Sequence, residues 1–148
     1  MNPDALTHVT EHMREADRAE LMETTWDNRE ADMCVHILAM GGLGYVCVAD
    51  DGEPVAVAGI TVCSPGVGQA WMWGTQRVKE VGLQVTRASI KQCKSELDGT
   101  LRRIQASTVS YHHDAHKWLE MVGFEREGRL RRFGRTGADF YMYSMIRG

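Results

Sequence analysis

The chain has 148 residues, enough for one domain and hardly for two. Hydrophobic residues at 43% and charged residues at 25% are ordinary for a globular protein, which excludes a mainly disordered chain and a scaffold dependent on disulfides. A count of 17 Lys+Arg against 20 Asp+Glu gives a formal net charge of −3, so a global basic field for nucleic acid is absent.

No apolar run approaches the roughly 20 residues of a membrane span. The opening Met1-Asn2-Pro3-Asp4 is acidic and polar, unlike a signal peptide, so a cytoplasmic protein is expected. Cys34, Cys47, Cys63 and Cys93 form no C-x-x-C pair and read as reduced, small apolar fillers.

Leu6, Val9, Met13 and Ala16 recur at spacings of three and four, which predicts a first helix capped by Asp4 after Pro3. A second short helical piece is expected over Asp17–Thr25. A further helix is expected over Asn28–Met40, capped by Asp27 or Asn28 and stopped by Gly41-Gly42-Leu43-Gly44. Those glycines are not a phosphate loop, because no Lys-Ser/Thr follows.

Tyr45–Ala49 and Val55–Val62 read as strands around the hairpin signal Asp51-Gly52. Ser64–Gly68 makes a turn into a third strand, Ala70–Thr75. The period then changes. Val81, Val85, Ala88, Cys93 and Leu97 predict a helix over Gly82–Leu97, ended by Asp98-Gly99. A strand over Leu101–Val109 and a short helix over Asp114–Val122 follow. Phe124–Phe133 and Ala138–Ile146 flank a second hairpin at Gly134–Gly137. The order opens on helices, runs through an antiparallel β-β-β meander and continues α-β-α-β-β. That is an α+β (mixed α/β) domain spanning residues 1–148, not a doubly wound sheet.

Ala115-His116-Lys117-Trp118-Leu119-Glu120-Met121-Val122-Gly123-Phe124 carries an Ala and an apolar pair ahead of Gly-Phe. With the element order, it resembles the fourth-helix motif of the GNAT superfamily of acetyl-CoA-dependent N-acetyltransferases. His12–Leu21, Asp51-Gly52-Glu53-Pro54 with the strand that follows, and Trp73-Gly74-Thr75 are similar to GNAT-like proteins of tailed bacteriophages. That group includes relatives of the internal virion protein A of T7-like phages. The resemblance covers nearly the whole chain. It implies a central, mostly antiparallel sheet flanked by helices, acetyl-CoA as cosubstrate and an amine as acceptor. A host-cytoplasmic or virion location would follow from the phage resemblance.

The family's Q/R-x-x-G-x-G/A loop cradles the cosubstrate's diphosphate on backbone N–H groups. Its nearest register here is Lys79-Glu80-Val81-Gly82-Leu83-Gln84, with Lys79, Gly82 and Gln84 at the matching places and Glu80 adding an unfavourable charge. The resemblance implies backbone donors for an oxyanion at Trp73, Gly74 and Thr75. His112 stands where the family often has Asn. Leu119 stands where many members have a Tyr that protonates the departing thiolate, and Leu cannot carry a proton.

His112 or His113 could take the acceptor's proton, or could belong to a solvated loop and helix cap with Asp114. His112, His113, Asp114 and His116, and His8 with His12, are metal-ligand types without a convergent second cluster, so no metal is expected. Arg126, Arg129, Arg131, Arg132 and Arg135 crowd the last hairpin, as a phosphate contact, a protein-partner surface or a solvated face. Trp71 and Trp73 share one face of their strand and Tyr141 and Tyr143 another, as core packing or as pocket walls. Two functions compete: transfer of an acetyl group to an unknown amine, and a catalytically inactive GNAT-fold phage virion or interaction protein.

Overall fold

The computed structural model describes residues 2–25 and 43–148. The helix expected at Asn28–Met40, its caps, Cys34 and the Gly41-Gly42 stop lie outside the described residues. Leu43 and Gly44 already belong to the first strand.

Helix α1 spans Pro3–Glu11. Its cap is Asn2 rather than Asp4: the Asn2 side chain accepts the Asp4 N–H at 2.9 Å. Pro3 at the first helical position has no N–H to satisfy. Leu6 and Val9 are fully buried. The apolar stripe runs on past Glu11, but the helix does not, because Met13 bridges Thr75 and the Arg14 N–H donates to the Gly74 carbonyl at 2.8 Å. Helix α2 then covers Glu15–Thr24.

Strands β1 (Leu43–Val48), β2 (Pro54–Ser64) and β3 (Val67–Gly74) form the expected meander. Gly52 at φ +85° and Gly66 at φ +77° make its turns. β3 begins earlier than expected, since Val67 already pairs with Ser64 across Pro65-Gly66. A 3₁₀ turn at Val78–Val81 leads into helix α3, Gly82–Asp98. Strand β4 (Arg103–Val109), helix α4 (His113–Val122) and strands β5 (Glu125–Leu130) and β6 (Phe140–Ile146) complete the chain. Gly123 ends α4 at φ +117°, a left-handed cap that favours glycine.

The six strands lie in the order β1-β2-β3-β4-β6-β5. Every neighbouring pair is antiparallel except β3–β4. The fold is therefore α+β, as the element order predicts. One sheet face buries Val57 and Trp73 against Leu6, Val9 and Met13 of the α1 side. The other packs Ala56 and Ala58 against Val78, Val81 and Val85, and Ile104, Ala106 and Tyr143 against Cys93, Leu97, Leu119 and Val122. Each large apolar side chain withdrawn in this way contributes about 1.5–3 kcal/mol.

The final hairpin has shorter strands than expected. Its tip folds back on α2, where Glu23 accepts the Arg135 N–H on its carbonyl at 2.8 Å and the Thr136 N–H on its carboxylate at 3.0 Å.

Candidate functional site

The parallel pair β3–β4 is joined only from Val67–Arg103 to Gln69–Gln105. Beyond those rungs the strands part, and the second half of β3 faces an opening instead of a neighbour. A cavity of about 750 Å³ fills it, within the range of small-molecule sites. Its lining comes from both sheet faces: Met13, Asp17 and Trp71 on one side, Met72, Gly82 and Trp118 on the other.

Strand alternation fixes which backbone groups face the opening. The Thr75 N–H donates to the Val55 carbonyl at 2.9 Å, so Thr75 and Val55 form a hydrogen-bonded rung. Two residues on, Trp73 and Val57 repeat it in the same register. The N–H groups of Gly74 and Met72 therefore point away from β2. Gly74 donates to Asp17 at 2.9 Å. Met72, past the last β3–β4 rung, is aimed into the opening.

The α1–α2 corner takes the place that β4 vacates. The Arg14 backbone holds the Gly74 carbonyl, and Asp17 holds the Gly74 N–H. Asp17 is a hub. It accepts from Arg14 Nε at 2.7 Å, Arg14 Nη2 at 3.1 Å and His112 Nε2 at 2.8 Å. Burial alone would raise its pKa, but the bonds from His112, Arg14 and Gly74 outweigh burial and hold it below the ordinary value. An ionised Asp17 can only accept, so His112 carries a proton on Nε2, and in the neutral ring the lone pair falls on Nδ1.

One turn along α2, Glu20 accepts from the Thr108 hydroxyl and, at 2.6 Å, from the Val109 N–H. These bonds tie α2 to the splayed end of β4. Burial pushes the Glu20 carboxyl above its ordinary pKa against those two bonds and the attraction of His112, and the Asp17 charge pushes it further up. Glu20 lines the cavity and was not among the residues singled out by sequence. The signal that could have found it is its i,i+3 spacing from Asp17.

The opposite mouth carries the first turn of α3, whose Leu83 and Gln84 N–H groups lie beyond the reach of that helix's own carbonyls. No acidic residue occupies that turn, and no side chain caps it. A Cβ placed on Gly82 would meet no atom, so the backbone there is open to approach. Lys79 lines the same mouth. Glu80, unfavourable by sequence, is neutralised: Arg77 donates to it through Nε at 2.7 Å and Nη2 at 2.9 Å. Trp118 Nε1 donates to Thr86 at 3.0 Å, and Thr86 donates to the Gly82 carbonyl at 2.7 Å, locking this turn to α4.

Of the residues singled out by sequence, Trp73, Lys79, Gly82 and His112 line the cavity. Gln84 is exposed and offers its backbone N–H. His113 is exposed and lies outside the lining, while His112 is buried against Asp17 rather than solvated. The expected donors at Trp73–Thr75 are already committed: Trp73 to the β2 rung, Gly74 to Asp17, Thr75 to Val55. Met72 is the donor that alternation offers instead. Leu119 is buried and lines the cavity.

His116 is a packing residue. Its Nε2 donates to the carbonyls of Val109 at 3.1 Å and Ser110 at 3.2 Å, and its Nδ1 accepts from the Tyr143 hydroxyl at 2.8 Å. No group of three or more His, Cys, Asp or Glu side chains converges as a metal site among the described residues. In the last hairpin, Arg129 pairs with Asp139, and Arg126 lies 4.2 Å from the centre of the Tyr141 ring.

The sequence matches no family model and no curated protein. Its likeness is to solved structures. A GNAT-family acetyltransferase from Streptococcus pneumoniae superposes with a TM-score of 0.71 at 17% identity, covering 100% of this chain and 96% of that one. A phosphinothricin acetyltransferase from Sinorhizobium meliloti, solved with acetyl-CoA, gives 0.75 at 16%, covering 100% and 86%. A ribosomal-protein-alanine N-acetyltransferase from Brucella melitensis gives 0.74 at 14%, covering 99% and 96%. Likeness at this identity speaks for the architecture, and the architecture is the GNAT fold.

Proposed function

We propose that the chain is an acetyl-CoA-dependent N-acetyltransferase acting on a primary amine. The observation that carries this reading is the parting of β3 and β4 beside the first turn of α3. It makes one cavity with an anion-binding mouth on one sheet face and a carboxylate–imidazole cluster on the other.

The residues present suit the cosubstrate. The N–H groups of Leu83 and Gln84, the open backbone at Gly82 and the Lys79 ammonium match a diphosphate. Acetyl-CoA would supply an activated thioester. The Met72 N–H is placed to donate to a carbonyl oxygen that gains charge in the opening. Asp17 orients His112 and leaves Nδ1 to take a proton from the amine. An ammonium acceptor sheds two protons in forming an amide. One goes to the departing sulfur and one to water.

Leu119 supports a second reading, a GNAT-fold protein of a bacteriophage that works in the cytoplasm or the virion through a protein partner. No proton donor stands at that position, and the arginine-rich hairpin presents exposed Arg131, Arg132 and Phe133. Calorimetric titration with acetyl-CoA separates the two. Saturable binding at one site per chain supports the enzyme. Gly82→Asp should fold normally and bind about tenfold weaker or worse, from a like charge near phosphate. No heat up to millimolar ligand, or equal affinity in the variant, would turn the reading to the second.

A further inference from the structure

The acceptor end of the cavity also restricts what can enter it. Both oxygens of Asp17 are occupied, Oδ1 by Arg14 and His112, Oδ2 by Arg14 and Gly74. Glu20 differs. Its two bonds fall on Oε1, and among the described residues none falls on Oε2. This end of the cavity therefore offers an incoming ligand one carboxylate oxygen set with capacity to spare.

Among the described residues the lining mixes polar side chains, Thr24, Gln69 and Ser107 among them, with a run of apolar surface. Trp71 and Trp73 stand side by side with ring centres 5.0 Å apart. Their N–H groups are already used, Trp71 on Thr61 and Trp73 on Thr10, both at 3.1 Å. What Trp71 can present to a ligand is its ring surface. Leu21, Met13 and Phe140 continue this lining.

Resting on the acetyl-transfer reading, we infer that the acceptor is an amphipathic primary amine, with a single ammonium at Glu20 and an aromatic or apolar body against Trp71. A polyamine would bring further cations to an end where, among the described residues, Glu20 offers the spare carboxylate oxygen. An arylalkylamine satisfies both features, with its ring on indole and its cation on carboxylate.

The test is calorimetry on the full chain with 2-phenylethylamine, putrescine and a short lysine-containing peptide, with acetyl-CoA affinity measured on the same samples. 2-Phenylethylamine is expected to bind at least about tenfold tighter than the other two. Glu20→Gln keeps an oxygen for Thr108 and Val109 but loses the charge, and should weaken that binding by about tenfold without lowering the melting temperature. Trp71→Ala should weaken it by a similar factor. Acetyl-CoA affinity should not change in either variant.

Tighter binding of putrescine or peptide overturns the inference. So does indifference of 2-phenylethylamine to both variants, or acetyl-CoA binding with no amine binding at all. If 2-phenylethylamine binds through Glu20 while acetyl-CoA does not bind, the ammonium site stands and the transfer reading falls.

Discussion

Asp17 and His112 are 95 residues apart in the chain and meet at 2.8 Å, each only 5% exposed. Their bond joins α2 to the residue that opens α4, across the gap where the sheet has parted. The same carboxylate ties Gly74 and Arg14. One buried anion thus closes the α1–α2 corner, the end of β3 and the start of α4 around the cavity.

Asp17→Asn should therefore destabilise the fold by about 3 kcal/mol, because it leaves the Arg14 guanidinium, itself mostly buried, without its counter-charge. The wild type should show the matching acid sensitivity. The Asp17 pKa lies below its ordinary 3.8, so its contribution is complete above that value and is lost as pH falls from there through the lower folded value. Urea melts from pH 7 down to about pH 2 check this. A variant as stable as wild type at pH 7 would show that the hub is not structural.

Glu20 should act with the opposite sign. Its folded pKa lies above the ordinary 4.5, so its protonated form favours the native state and stability falls as pH rises through the folded value. Glu20→Gln keeps the two bonds on Oε1 without that charge. At pH 7 the variant should melt at or above the wild-type temperature, with the difference closing by about pH 4. A clear loss of melting temperature at pH 7 would mean that the carboxylate charge itself holds β4.

Much of this is legible in the amino-acid sequence. Apolar periodicity placed α3 and α4, Asp51-Gly52 placed the first hairpin, and Gly123-Phe124 placed the end of α4. Trp71 and Trp73 share a face as their spacing requires. The cluster was less legible. Asp17 and Glu20 carry no mark of a site in a mostly polar helix, since nothing local says that β3 and β4 part and α2 fills the gap. The break after α1 was hidden for the same reason: Met13 continues the apolar stripe, but its backbone is drawn to Thr75. His112 was a candidate by residue type and by its place in the motif that ends at Gly123-Phe124, and its partner could come only from the tertiary fold.

Gly74, singled out as a backbone donor, is glycine for a packing reason. A Cβ there would lie 2.7 Å and 2.8 Å from two Val78 carbons and 3.1 Å from the Val55 carbonyl oxygen. Gly74→Ala should cost about 1–3 kcal/mol and displace the 3₁₀ turn that carries Lys79. Melting curves test the stability. A Gly74→Ala, Val78→Ala double variant should recover part of the loss, and its failure to do so would place the strain elsewhere.

Leu119 gives the most direct test of whether this cavity performs chemistry. It lines the cavity at the start of the last turn of α4, and its own side chain has no proton to hand to a departing thiolate. Leu119→Tyr puts a phenol there. The side chain is buried but borders open volume, so overpacking should cost no more than about 1–3 kcal/mol. If acetyl transfer occurs and proton delivery to sulfur limits it, turnover should rise by about tenfold, well short of a fully positioned acid. The KM for acetyl-CoA should hold steady, and a new alkaline limb should appear in the pH profile as the phenol ionises. Unchanged turnover in a well-folded variant would mean that another step limits the rate or that sulfur takes its proton by a different route. A wild type and variant that are both inert toward every amine, while still binding acetyl-CoA, would leave the fold as a binding module.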